Sequence, residues 1–182
     1  VALSGKIYTN VDNGGAVWRL QLEWSAQQDV TNNKSNITAK LYWMSLDQYG
    51  DISSTASKTS AMQYNNGSWV TATSTAGISA YEKKLIQTRT FTITHDANGN
   101  ASFSIDGYYD VQLNLTGKYV DRVDLTQTTF TLNTIEQDGK MWVQHSGDWD
   151  IGVAYVYASS AWRKSKNVYV YTGGVWKVDN TS

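Results

Sequence analysis

The stretch Val17-Trp18-Arg19-Leu20-Gln21-Leu22-Glu23-Trp24 alternates without a break, with Trp18, Leu20, Leu22 and Trp24 on one side and Arg19, Gln21 and Glu23 on the other. A period of two marks a strand with one buried face, because successive Cβ atoms point to opposite sides of the pleat. Residues 36–44 follow the same rule: Ile37, Ala39, Leu41 and Trp43 fall on one side, Thr38, Lys40 and Tyr42 on the other. The two apolar faces are predicted to meet in one core. The polar residues 26–35 read as the connection between them.

Outward from this pair the chain continues as short strands. Residues 90–94 and 101–105 flank Asn98-Gly99, a pair suited to turns that need positive φ, and the reading is a β-hairpin. Further strands are expected near residues 5–9, 55–64, 69–74, 83–88, 109–115 and 126–132, and no amphipathic helix is found. Many short strands between turn clusters predict an all-β sandwich with jelly-roll or Greek-key wiring. The boundary of this domain is expected near residue 136, giving domains 1–136 and 137–182.

Residues 137–182 repeat an aromatic-Val pattern that ends in Trp at steps of 13 and 14 residues: Trp142 to Trp149, Tyr155 to Trp162 and Tyr169 to Trp176. That length suits a strand, a tight turn and a second strand, so three successive β-hairpins are predicted over 141–177. Four of the eight Trp and four of the twelve Tyr lie here. Such rings either pack a small core or form a binding or assembly surface, for which Tyr155, Tyr157, Trp162, Tyr169, Tyr171 and Trp176 are the candidates.

Composition narrows the function classes. Charged residues make up 17% of the chain, below the usual ~25%, and the formal net charge is −1. No run of Lys and Arg appears beyond Arg163, Lys164 and Lys166, so nucleic acid is not expected as a partner. No apolar run approaches the ~20 residues of a membrane span, so membrane insertion is not expected. Cysteine and proline are absent, which removes disulfides and thiolate metal ligands and leaves turns to Gly, Asn, Asp and Ser. The start at Val1 implies a processed or shortened chain.

Residues 24–42, beginning Trp24-Ser25-Ala26-Gln27-Gln28-Asp29 and ending Lys40-Leu41-Tyr42, resemble a pattern of tail and baseplate proteins from siphophages of Gram-positive bacteria. Ala2-Leu3-Ser4-Gly5 resembles the opening of that family, residues 91–100 its hairpin and Thr131-Leu132-Asn133-Thr134-Ile135 its closing strand. Family members often continue with Ile-Pro, whereas Ile135 here precedes Glu136. The resemblance implies a virion-associated β-sandwich, similar to carbohydrate-binding modules, that grips host cell-wall polysaccharide at the bacterial surface beside other tail or baseplate proteins. It implies neither catalysis nor a cofactor.

The residues themselves point the same way. Aromatics outside the inward faces, Tyr42, Tyr64, Trp69, Tyr108, Tyr109 and Tyr119, are the candidate saccharide contacts, since ring faces stack on the apolar side of a pyranose. Tyr64-Asn65-Asn66-Gly67-Ser68-Trp69 is the most lectin-like stretch, because Asn65 and Asn66 place two amides between two rings. Its plain alternative is a hairpin turn. His95 and His145 have no metal-ligand spacing, and Asp96, Asn98 and Asn100 match the start of a calcium loop without its closing Glu, so no metal site is assigned. A purely structural assembly module remains the second reading. Glycan hydrolysis, which needs two facing carboxylates, is the third.

Overall fold

The computed structural model describes residues 2–12, 17–115, 117–136, 140–145, 148–153, 155–158, 161–164, 169–172 and 175–178, with side chains described for 2–11, 18–115 and 117–136. Among the described residues every regular element is a strand. The chain divides into two units, Val1–Ile135 and Glu136–Ser182.

The first unit is a sandwich of two sheets. One sheet holds β1 (Ser4–Asp12), β2 (Val17–Asp29), β3 (Lys34–Ser45) and β6 (Lys83–Thr94) in the order β1-β2-β3-β6. The other holds β4 (Ser57–Tyr64), β5 (Val70–Thr75), β7 (Ser102–Tyr109) and β10 (Val123–Asp124) in the order β10-β7-β4-β5, with β11 (Thr128–Thr131) on the same edge of β7 as β10. β8 (Leu113–Leu115) and β9 (Lys118–Val120) form a small separate hairpin. All the strand pairs named here are antiparallel. β3 pairs with β6 and β4 with β7, so the chain crosses between the sheets after β3, β5 and β6, which is Greek-key wiring.

The alternating faces meet as the sequence requires. Trp18, Leu20, Leu22 and Trp24 of β2 and Ile37, Ala39, Leu41 and Trp43 of β3 are all buried, facing Phe103, Ile105 and Tyr109 of β7. The Trp24 and Phe103 rings meet edge to face with centroids 5.0 Å apart, and Trp43 lies 5.8 Å from Tyr109. Trp18 and Trp43 donate their indole N–H groups to the carbonyls of Gly50 and Ala76, at 2.8 and 3.2 Å. The Trp24 indole instead lies on the Gly5 backbone, where a Cβ would sit 2.6 Å from Nε1. Only glycine lets the strands close over that ring.

Three expectations change. Residues 26–35 are not a loop: β2 runs to Asp29 and β3 starts at Lys34, leaving a tight turn in which Asp29 caps the Asn32 N–H. Residues 90–105 are not a hairpin, because β6 and β7 belong to different sheets. The turn is there, with Gly99 at φ 77 and Asp96 Oδ1 accepting from the Asn98 and Asn100 N–H groups, but it carries the chain across the sandwich. Turn chemistry fixes a local reversal, not which sheet receives the next strand. Residues 109–115 break as well, because Gln112 at φ 47 separates β7 from β8.

The second unit contains three antiparallel pairs, β12 (Lys140–His145) with β13 (Asp148–Val153), β14 (Tyr155–Ala158) with β15 (Ala161–Lys164) and β16 (Tyr169–Thr172) with β17 (Val175–Val178). Their registers place Gln144 opposite Trp149, Tyr157 opposite Trp162 and Tyr171 opposite Trp176, so the three Trp are equivalent in the backbone pairing. Which face Tyr155, Tyr157, Trp162, Tyr169, Tyr171 and Trp176 present lies outside the described side chains.

Candidate functional site

On β7, residues 103, 105, 107 and 109 are buried while Ser104, Asp106 and Tyr108 point to the outer face of the second sheet. Tyr108 and Tyr109 therefore cannot both be surface contacts. Tyr109 is fully buried, its hydroxyl 3.1 Å from Ser74 Oγ, and burial raises its pKa against the opposing effect of that hydrogen bond. It is removed from the candidate contacts and belongs to the core.

The loop between β4 and β5 is the hairpin turn of the plainer reading. Asn65 and Asn66 have φ of 48 and 53, and the Gly67 N–H donates to the Tyr64 carbonyl, the arrangement of a type I′ turn. Its amides are partly spent on the fold: Asn65 Oδ1 accepts from the Ser104 N–H at 2.8 Å and Asn66 Oδ1 accepts from Gln127 at 2.7 Å. Tyr64 turns to the other side of the sheet, stacked on Phe91 at 4.2 Å with the Arg89 guanidinium 4.8 Å from its ring centre. The four residues grouped by sequence thus do not form one surface.

Trp69 is the member that faces outward. Its ring is 43% exposed and lies 5.1 Å from the ring of Tyr108, tilted by 56°. Ala61, the cross-strand neighbour of Tyr108, is fully covered on this outer face, so the two rings have a fixed floor. The Arg122 guanidinium sits 3.8 Å over Tyr108 and pairs with Asp110 at 2.6 Å, which raises the Arg122 pKa further. Asp124 is the cross-strand neighbour of Tyr108 on β10, and Asp106 lies two residues before Tyr108 on β7.

Asp106 is the unusual group of this face. Its Oδ1 is buried with no hydrogen-bond partner, and burial, then the charge of Asp124, pushes its pKa upward. A buried carboxylate oxygen without a donor costs stability, and Asp106 shares its outer face with Tyr108, the ring against which Trp69 rests. The face thus combines the Trp69 ring, the carboxyl groups of Asp106 and Asp124 and the Gln127 amide, which donates to Asn66 of the β4–β5 loop.

The remaining candidates are dispersed. Tyr42 is on the outer face of the first sheet under the Lys83 ammonium, 4.1 Å from its ring centre. Tyr119 is 58% exposed on the β8–β9 hairpin. Residue-by-residue reading did not single out Asp106, Asp124 or Arg122. The alternation Phe103-x-Ile105-x-Gly107-x-Tyr109, which sets Asp106 on an outer face beside Tyr108, is the signal that would have found the first. Tyr49 and Tyr81, 71% and 68% exposed, were also missed, since neither sits in an alternating segment.

His95 is structural. Its Nδ1 donates to the Gly99 carbonyl and its Nε2 pairs with Ser35 Oγ, both at 2.7 Å, and the residue is 4% exposed. Because a carbonyl only accepts, Nδ1 carries a proton toward Gly99, while Nε2 is engaged by the Ser35 hydroxyl, so both ring nitrogens are used within the fold. Comparison with family models, curated proteins and solved structures finds no match for this chain.

Proposed function

We propose that the protein is a non-enzymatic phage tail or baseplate accessory protein that binds host cell-wall polysaccharide during adsorption, through the outer face of β10-β7-β4-β5. The observation that carries this reading is the half-exposed Trp69 ring seated against Tyr108, on an outer face that also carries Asp106 and Asp124. A pyranose stacked on Trp69 would offer hydroxyl donors to Asp106 and Asp124, matching the usual division between apolar ring faces and polar edges. The family resemblance over residues 2–135 supplies the biological setting, at the virion and the bacterial surface, with other tail or baseplate proteins as neighbours.

Labelled protein mixed with whole cells tests the proposal. Decoration of strains that carry the wall polysaccharide, and not of strains that lack it, is the expected outcome. A protein serving only assembly would leave both undecorated, and release of reducing sugar would point to hydrolysis instead.

A further inference from the structure

Three Asn-Gly pairs stand in the chain, Asn13-Gly14, Asn66-Gly67 and Asn98-Gly99, and by sequence they are equivalent. In such a pair the side-chain amide is open to attack by the next backbone nitrogen, because glycine has no side chain to shield that nitrogen or to restrict the peptide. Closing a five-membered ring from Asn Cγ to the nitrogen requires the Asn-Gly peptide to swing away from the conformation it holds in a tight turn. What each pair gives up in that swing is set by its hydrogen bonds. The first pair lies outside the described residues, and the other two are held very differently.

Asn98-Gly99 is anchored to the body of the sandwich. Gly99 is buried; its N–H donates to the Asp96 carbonyl at 3.0 Å, and its carbonyl accepts from the Ile135 N–H at 2.8 Å and from His95 Nδ1 at 2.7 Å. The peptide cannot rotate there without parting the crossover from the end of the domain. Asn66-Gly67 sits at the tip of the β4–β5 hairpin, and both residues are exposed. The Gly67 N–H donates to the Tyr64 carbonyl at 2.9 Å and the Gly67 carbonyl accepts from the Gln63 amide, so these bonds stay within the hairpin tip. Gln127 Nε2, which donates to Asn66 Oδ1 at 2.7 Å, is an exposed contact. The turn is fastened to β7 by Asn65, whose N–H and Oδ1 pair with Ser104 at 2.9 and 2.8 Å, and Asn65 precedes the reacting peptide. Opening at Asn66 is therefore local, whereas opening at Asn98 disturbs the core.

We infer that Asn66 is a site of spontaneous self-modification: in the folded protein its side-chain amide is lost to the Gly67 nitrogen, while Asn98 stays intact. Solvent water is the co-reactant. The Gly67 nitrogen bonds to Asn66 Cγ, the Cγ–Nδ2 bond breaks, and ammonia leaves with the proton that the Gly67 nitrogen gives up. Water then opens the resulting succinimide. Entry at Cγ yields an ordinary aspartate; entry at the main-chain carbonyl routes the chain through the side chain and yields isoaspartate, longer by a methylene. Either product sets a carboxylate beside the Gln127 amide where a neutral amide stood. The isoaspartate also lengthens the turn that leads from β4 to Trp69, in which Asn65 and Asn66 hold φ of 48 and 53. The inference rests on the turn and not on the saccharide reading, so either can fail alone.

Peptide mapping by mass spectrometry tests it, on the full chain held folded in mildly alkaline buffer and, in parallel, in denaturant. In the folded chain Asn66 should convert to a mixture of aspartate and isoaspartate at least about tenfold faster than Asn98, the ratio for opening costs that differ by ~1.4 kcal/mol. In denaturant the two rates should draw level, since both pairs are then open Asn-Gly peptides. Gly67→Ala should slow conversion at Asn66 and leave Asn98 as it was. An Asn66 that keeps its amide in the folded chain while losing it in denaturant, an Asn98 that converts as fast as Asn66 in the folded chain, or conversion at Asn66 untouched by Gly67→Ala would each overturn the proposal.

Discussion

Under the proposed saccharide reading, folding and binding make opposite demands on Asp106. Its folded-state pKa is raised by burial and by Asp124, so the ionised form is disfavoured in the folded protein. The cost is fully present at neutral pH, fades as pH falls through the raised folded value and is gone below the ordinary carboxylate range. Asp106→Asn should therefore melt higher than the parent at pH 7, with the gap closing in acid, while losing affinity for saccharide. Equal melting curves at pH 7 would show that the carboxylate carries no penalty. Parity explains why neighbouring residues part company at this scale: Tyr108 and Tyr109 are alike by composition, but one supports Trp69 and the other fills the core against Trp43.

At the scale of elements, alternation made β2 and β3 legible, and the Trp residues of those strands went to the core as their period required. Trp43→Ala should accordingly cost about 3–5 kcal/mol in denaturant unfolding, the range for deleting a large buried ring. A loss near zero would mean that the strand presents its other face. Connections were less legible, because a turn motif is local whereas sheet membership is decided by distant partners. Asn98-Gly99 illustrates the point: the turn is real, but its Gly99 carbonyl accepts from the Ile135 N–H and a Cβ on Gly99 would lie 1.8 Å from the Ile135 carbonyl oxygen. The crossover is thus tied to the end of the domain, 36 residues on in sequence. Gly99→Ala should destabilise by more than the ~1–3 kcal/mol of a strained backbone alone, because the positive φ and the backbone clash act together. Thermal unfolding measures it, and an unchanged midpoint would contradict the crossover geometry.

For the first unit as a whole, the two outer faces of the sandwich differ in the side chains they present. One carries the exposed Trp69 ring and the unpaired Asp106 Oδ1; the other spreads Lys6, Arg19, Lys40 and Lys83 around Glu23, which is committed to Lys83. Neither surface was legible from segments, because each gathers residues from three or four strands and only register places them side by side. The Tyr64–Trp69 stretch was chosen for its composition and contributed one outward ring, Trp69, whereas Tyr64 and the amide oxygens of Asn65 and Asn66 serve the fold. Raised ionic strength screens exposed charges and leaves ring stacking nearly untouched. The measurement that bears most directly on the saccharide-binding reading is the affinity of Trp69→Ala for purified host wall polysaccharide at high salt, taken with its melting curve. Affinity should fall by at least about tenfold, the loss of one stacking contact of ~1.5 kcal/mol, with the melting temperature nearly unchanged. Undiminished binding by a Trp69→Ala protein that melts like its parent would contradict the assignment of this face to saccharide.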